Sequence, residues 1–237
     1  MTPPRFHVAP GLLAVGATVA LPAPAAHHAA RVLRLVAGDA VTLFDGRGGE
    51  CAAHIVGIDR RGVDVHVERC DAVERESTQA ITLAMAVIAA DAMDSALRKA
   101  VELGAARIEP LIAARSQGGA RGERAERRVA HWRQVVVAAC EQCGRNRIPD
   151  VADPVSLDAF LGGAGRADIV LVPGAARSLA QCVAAAPPRA LVVGPEGGFS
   201  DAELAQIRAR GLREATLGSR ILRAETAATA ALAIALA

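Results

Sequence analysis

The sequence contains no tyrosine, and its aromatic residues are Phe6, Phe44, Phe160, Phe199 and Trp132, 2% of 237 positions. A protein that reads nucleic acid by stacking successive bases on aromatic side chains is poorly supplied by that set. Lysine is almost absent: Lys99 is the only one among 27 basic residues, and the others are arginine. The apolar end of the sequence, 224–237, is too short to cross a bilayer and reads as a buried helix. No glycine-rich loop is followed by Gly-Lys-Ser/Thr, and no Gly-x-Gly-x-x-Gly has its downstream acid, which argues against a nucleotide-dependent oxidoreductase. Cysteine is sparse and unpatterned, five in all. That odd count argues against a disulfide framework. Cys140-Glu-Gln-Cys143 has C-x-x-C spacing, but no second Cys or His pair completes a zinc site, and the pair falls late in a helical pattern rather than at its start. Ordinary helix residues are expected there, and no metal.

What is present describes a folded chain. Hydrophobic residues make up 52% and charged residues 22%, with a formal net charge of +2, so overall charge identifies no partner. The stretch 5–30 has a positive residue, an apolar run and Ala-Pro-Ala-Ala, the ingredients of a secretory signal. Pro10, Gly11 and Gly16 interrupt the run, and Leu13, Val15, Val19 and Leu21 read better as short strands with turns. A cytoplasmic protein with no membrane partner is expected. Between 115 and 147 stand Arg115, Arg121, Arg124, Arg127, Arg128, Arg133, Arg145 and Arg147 against Glu123, Glu126 and Glu141. Arginine's planar fork suits phosphate, so this is either an RNA-facing patch or a solvated helix face laced with i,i+3 and i,i+4 pairs.

Two domains are expected, 1–75 and 76–237. The first lacks long helical periodicity. Its segments 41–44, 51–58 and 63–67 read as strands, separated by turns at 45–49 and 59–62, and make a small β-rich barrel or sandwich with one helical stretch at 25–36. Five of six histidines lie in it without metal-site spacing. The polar run 74–79 marks the boundary. Beyond it, strands at 81–89, 107–113, 169–172, 190–193 and 215–217 alternate with helices at 91–103, 123–143, 175–186 and 201–210, the pattern of an α/β domain with a mainly parallel sheet.

Two loops carry the chemistry. Gly194-Pro195-Glu196-Gly197-Gly198-Phe199 follows a buried strand, and Ser200 with Glu203 forms a capping box that opens a helix. Glycines at the carboxyl end of a strand let backbone approach a ligand, so Gly197 and Gly198 are expected where a side chain would collide with one; a tight structural turn is the other reading. Leu217-Gly218-Ser219-Arg220-Ile221-Leu222-Arg223-Ala224-Glu225 follows the next strand, and its mixture of apolar and polar residues suits an adenosine pocket or simply a helix start.

Taken together, these segments resemble the ribosomal RNA small subunit methyltransferase E family of the SPOUT superfamily. The likeness extends through 98–104, Ile108-Glu-Pro, Arg115-Ser116, Trp132 and 141–145, and in the first domain through His28, Val32-Leu-Arg34, Gly38-Asp39 and 43–46. It implies a PUA-like RNA-contacting domain followed by a knotted parallel-sheet domain. It also implies a homodimer, S-adenosylmethionine as methyl donor without a metal, and methylation of N3 of one uridine in 16S ribosomal RNA, free or in the small subunit. Carried across, Gly194, Glu196, Gly197 and Gly198 form the first cofactor loop, and Leu217, Gly218, Ile221 and Leu222 the second. Two departures stand out: Asp91-Ala-Met-Asp94 replaces a lysine-containing segment, and Cys143 replaces a serine. The chemistry needs a charge partner for a developing uridinate, for which Arg145 and Arg223 are the candidates, and a proton acceptor, Glu141 or Glu225. Arg5, Arg34, Arg121, Arg124 and Arg128 are the candidate RNA contacts.

Overall fold

A computed structural model describes residues 3–117, 122–165 and 168–236. Its chain divides into two compact units, one of 1–76 with 137–148, the other of 77–136 with 149–237.

In the first unit, β1 (Arg5–His7), β2 (Thr18–Ala20), β3 (Ala40–Phe44), β4 (Glu50–Ile58) and β5 (Val63–Asp71) form a single sheet in the order β1-β3-β4-β5-β2. Barrel and sandwich were both open from the sequence; one sheet around one apolar cluster excludes the two-sheet sandwich. Alternation sets its faces: Cys51, Ala53 and Ile55 of β4 and Val63, Val65 and Val67 of β5 are buried, each separated by a less buried neighbour. They pack with Phe6, Val8, Val19 and Leu21, so the opening stretch belongs to the folded core. The helical stretch begins earlier than expected, as α1 (Ala23–His27), and continues as a π-helical turn over His28–Val32. Strand register places Cys51 directly opposite Cys70, and the two are joined as a disulfide. Sequence spacing gave no hint of this pairing, because only the β4–β5 register brings the two together.

The second unit contains β6 (Thr82–Ala86), α2 (Ala90–Leu103), β7 (Arg107–Ile112), most of α3 (Glu123–Cys143), β8 (Asp150–Val151), β9 (Val155–Ser156), α4 (Leu157–Leu161), β10 (Asp168–Leu171), α5 (Leu179–Ala185), β11 (Ala190–Val193), α6 (Asp201–Ala209), β12 (Arg213–Ala215) and α7 (Ala224–Ala235). Every strand pair is parallel, in the order β12-β10-β11-β6-β7-β8, with β9 also on β7. Helices cover such a sheet, so its strands read as continuous apolar runs, and β10 and β11 are buried at every position. In α2, Met93, Ala96, Leu97, Ala100 and Val101 form one buried stripe at helical spacing, and Gly104, with φ +95°, ends the helix in a conformation other residues avoid. The elements β8, β9 and α4 are too short to leave a periodic signal. Among the described residues no helix is long and apolar enough to cross a membrane.

The end of α3 and the turn after it, 137–148, group with the first unit, although the sequence reading assigned everything past 76 to the second. The reason is a polar cluster. Glu50 accepts from Arg5 Nη1 at 2.6 Å and from Arg75 at 2.8 and 3.0 Å. Fully buried Asn146 accepts from Arg5 and donates to the Val73 carbonyl at 3.0 Å. The hydrogen bonds from Arg75, aided by those of Arg5 and Asn146, outweigh burial and hold the Glu50 carboxyl at about 2.

That depression fixes a pH dependence. Because the folded-state value lies below the ordinary 4.5, the stabilisation is complete above about pH 4.5 and is lost as pH falls towards 2. Glu50→Gln should cost roughly 1–3 kcal/mol at pH 7. In denaturant titrations at pH 7 and pH 3 the gap between wild type and variant should shrink at the lower pH; an equal gap at both would show that the carboxylate is not the stabilising group.

Candidate cofactor-binding site

The carboxyl ends of β10, β11 and β12 are neighbours at one edge of the sheet, and the chain leaving them encloses a cavity of about 380 Å³. That volume lies in the range of small-molecule sites, and the edge is where open parallel sheets collect ligands. Leu171, Val172 and Pro173 come from the β10 end, 193–199 from β11, and 215–217 with Arg220, Ile221 and Leu222 from β12. Ala224 and Ala227 of α7 and Leu204 of α6 complete the wall. The last strand ends two residues sooner than expected. Thr216 and Leu217 have left the ladder to line the cavity, the Thr216 amide donating to the Arg177 carbonyl at 2.9 Å.

Of the eight residues expected to hold a cofactor, Gly194, Glu196, Gly197, Gly198, Leu217, Ile221 and Leu222 line this cavity, and Gly218 does not. Gly218 instead supplies a backbone conformation, φ +114°, that turns the second loop, and its carbonyl accepts from Thr216 Oγ1 at 3.0 Å. The glycines of the first loop are required for reasons other than ligand clearance. A Cβ on Gly194 would sit 3.0 Å from the Phe199 ring, and one on Gly197 would sit 3.1 Å from Arg115 Cδ. Gly198 has φ +68° with open space around it. At Gly197 the nearest neighbour of an added Cβ within the chain is thus the Arg115 side chain.

The capping box at Ser200 and Glu203 is present, and Glu203 does more than cap. Its carboxylate is buried and accepts from the Ser200 amide at 2.7 Å, the Ser200 hydroxyl at 3.0 Å and the Ala114 amide at 2.7 Å. Burial pushes this carboxyl up, but those three bonds and the Arg115 charge together prevail and leave it below its ordinary value.

The candidate catalytic groups separate. Arg223 is exposed at the N-cap of α7 and Glu225 lies in its first turn, on either side of cavity-lining Ala224. Arg145, expected to face substrate, is 5% exposed inside the first unit, where Nε donates to Glu76 Oε1 at 2.9 Å and Nη2 bonds Glu76 Oε2. Glu141 accepts from the His7 amide at 2.9 Å, and burial raises its pKa. The Arg145 guanidinium is thus committed to Glu76, and Glu141 is engaged at one carboxylate oxygen.

Among the RNA candidates, Arg5 is likewise committed to Glu50 and Asn146 and lies over the Phe44 ring, 5.1 Å from its centre. Arg34, with φ +57°, and Arg124 are exposed. Arg128 lies 5.2 Å from the centre of the Trp132 ring, and Arg121 is outside the described residues. Of the C-x-x-C pair, Cys140 is buried, its thiol pushed up to about 12 chiefly by that burial, and Cys143 is free and half-buried. Among the described residues no cluster of His, Cys, Asp or Glu is arranged to hold a metal. Sequence reading missed Leu171, Val172 and Pro173, since the adjacency of β10 to β11 and β12 has no local signal.

A parallel sheet with a ligand cavity at its carboxyl edge, preceded by a β domain, defines a class that the comparisons make specific. An RNA methyltransferase domain model matches residues 75–236, and an RNA methyltransferase PUA domain model matches 21–68. A methyltransferase from Legionella pneumophila, solved in complex with the bound cofactor SAM, is 36% identical with a TM-score of 0.93, covering 99% of this chain and 97% of that one. The ribosomal RNA small subunit methyltransferase E from Neisseria gonorrhoeae, bound to S-adenosyl methionine, is 35% identical with a TM-score of 0.88, covering 98% and 96%. The protein of that same name from Synechocystis is 31% identical over 236 residues, 97% of this chain and 76% of the relative. The chain is thus an RNA methyltransferase by class. It belongs to the ribosomal RNA small subunit methyltransferase E family.

Packing at the first loop is directly testable. Gly194→Ala places a methyl group 3.0 Å from buried Phe199, and the ring must shift. The expected cost is about 1–3 kcal/mol, read as a lower denaturant midpoint at unchanged slope. A change of less than about 0.5 kcal/mol would show that Phe199 adjusts freely, as an ordinary surface position does.

Proposed function

We propose that this chain methylates N3 of a uridine in small-subunit (16S) ribosomal RNA, with S-adenosylmethionine as donor, as a cytoplasmic homodimer. The observation that carries this reading is the cavity itself. Two loops recognised by their residue types close on one another at the sheet edge, in a chain matched over nearly its whole length by two solved relatives that hold that donor. The lining fits the group: apolar side chains and glycine backbone form most of the wall, and among the described residues Glu196 and Arg220 are its charged side chains. An acid and a base at one rim match the ammonium, sulfonium and carboxylate of the donor. When bound, the donor supplies a methyl group already activated on sulfonium.

The protein's own task is orientation and charge. Uridine N3 loses a proton as it is alkylated, and the negative charge spreads to O2 and O4. Arg223 stands at the start of α7, which opens without a side-chain cap, so the guanidinium and the helix's first amides both favour an anion there. Glu225, one residue beyond Ala224, takes the proton directly or through a water. Because N3 lies on the Watson–Crick edge, the uridine reaches the site unpaired or flipped. Arg34, Arg121, Arg124 and Arg128 serve the phosphates and the approach of the RNA.

The reaction is tested by mass spectrometry of small-subunit rRNA nucleosides from cells lacking the gene; 3-methyluridine retained at the wild-type level would sink the assignment. Assembly should appear in light scattering of the full chain as twice 24.3 kDa. A monomer at micromolar concentration would count against the dimer alone.

Catalysis and RNA positioning should separate by mutation. Arg223→Ala is expected to lower the single-turnover rate about 10²-fold at saturating RNA, as lost transition-state stabilisation does. Arg124→Ala should instead weaken RNA binding and reduce the slope of its salt dependence by about one. A saturated rate left intact in Arg223→Ala would make Arg223 a positioning residue.

A further inference from the structure

The turn 195–198 is closed by the Gly198 amide, which donates to the Pro195 carbonyl at 2.8 Å. The carbonyl of the same Gly197–Gly198 peptide accepts from Arg115 Nη1 at 2.6 Å. Both polar groups of that peptide are engaged, so its plane cannot rotate without breaking one bond. Arg115 does not line the cavity; it comes from the segment 113–117 that follows β7. That segment is held again by its Ala114 amide on Glu203 Oε1, while Glu203 Oε2 holds Ser200 at the start of α6. It is anchored at its far end by the Gln117 amide on the Val87 carbonyl at 2.9 Å. One guanidinium and one carboxylate therefore tie this segment to the glycine loop at Gly197 and to the start of α6 at Ser200. Among the described residues the amides of Glu196 and Gly197 have no acceptor within the chain. They are the donors that the pinned turn leaves for a bound molecule.

We propose that Arg115 is a positioning residue for the methyl donor: docked on the Gly197 carbonyl and braced through Glu203, it fixes the turn in its binding orientation before the donor arrives. This rests on the reading of the cavity as an S-adenosylmethionine site. A turn released from the brace spends part of its time in orientations that do not bind, and affinity falls by that fraction. Loss of one charge-assisted bond corresponds to about a tenfold change.

The test uses the full-length chain as wild type, Arg115→Ala and Arg115→Lys. Exchange of the Gly198 amide is followed without cofactor, affinity for S-adenosylmethionine by calorimetry, and melting temperature in parallel. In Arg115→Ala the Gly198 amide should exchange about tenfold faster and the Kd should rise about tenfold, with the melting temperature unchanged because the side chain is exposed. Arg115→Lys keeps a donor for the Gly197 carbonyl and should return both quantities to within about threefold of wild type, since a single bond is at stake. Faster exchange with unchanged Kd would overturn the proposal, as would weaker binding with unchanged exchange, since Arg115 would then act other than through the turn. Unchanged values of both, or a loss confined to RNA affinity, would overturn it as well. If wild type binds no S-adenosylmethionine, the reading of the cavity fails, and the exchange comparison still decides the brace: unchanged exchange of Gly198 overturns it, and faster exchange upholds it.

Discussion

A parallel sheet cannot return by a hairpin, so each strand's carboxyl end falls on the same edge and each connection crosses a face. The second unit depends on that constraint. The order β12-β10-β11 sets side by side three strands that occur in the chain as β10, β11 and β12, and three loops far apart in sequence meet over their ends. Strands β10 and β11 are buried at every position, so the floor they give the cavity is apolar without further design. Charge enters from the loops, as Glu196 and Arg220. Helix α7 packs on α2 and α5 across one face, and its N-terminus is thereby carried to the same edge.

The first unit is organised differently. Its apolar cluster is supplemented by a polar nucleus in which Arg5, Glu50, Val73, Arg75 and Asn146 satisfy one another, with Arg145 on Glu76. Buried ions are costly unless each has its partners, so these groups are interdependent. Five of these seven residues lie within 1–76 and two, Arg145 and Asn146, lie past residue 136 and group with them. Cutting the chain at 76 would strip Glu76 of Arg145 and the Val73 carbonyl of Asn146, while Glu50 would keep Arg5 and Arg75. The domain boundary is continuous in sequence only on one side.

Local physics made much of this legible. The alternation of β4 and β5, the stripe of α2 with its terminal Gly104, and the capping box at Ser200 are each written within a dozen residues, and each is found where the pattern places it. The two glycine loops were legible because residue type and position after a strand coincide there. What depends on neighbours distant in sequence was not. Nothing near Leu171 says that β10 lies beside β11 and β12, nothing near Cys51 says that Cys70 stands opposite, and nothing near Arg145 says that Glu76 neutralises it. Gly197 shows the limit well. Its place in a glycine loop was readable, but the side chain packed against it is Arg115, 82 residues away.

The same distinction decides what the arginines do. Counted in sequence, 115–147 carries a local excess of positive charge, and the count treats each arginine alike. In the structure they differ: Arg145 is held by Glu76 inside the first unit and Arg115 by the Gly197 carbonyl, whereas Arg127, Arg133 and Arg147 pair with Glu123, Asp153 and Glu74 at the surface. An arginine held by a buried carboxylate cannot turn to a phosphate without exposing that carboxylate unpaired, a change that costs more than an outer-surface phosphate contact returns. Arginines at the surface carry no such penalty, and Arg34 and Arg124 are of that kind. The electrostatic footprint offered to RNA is therefore narrower than composition indicates. It is set by how many guanidinium donors the fold leaves unspent rather than by how many arginines the sequence contains.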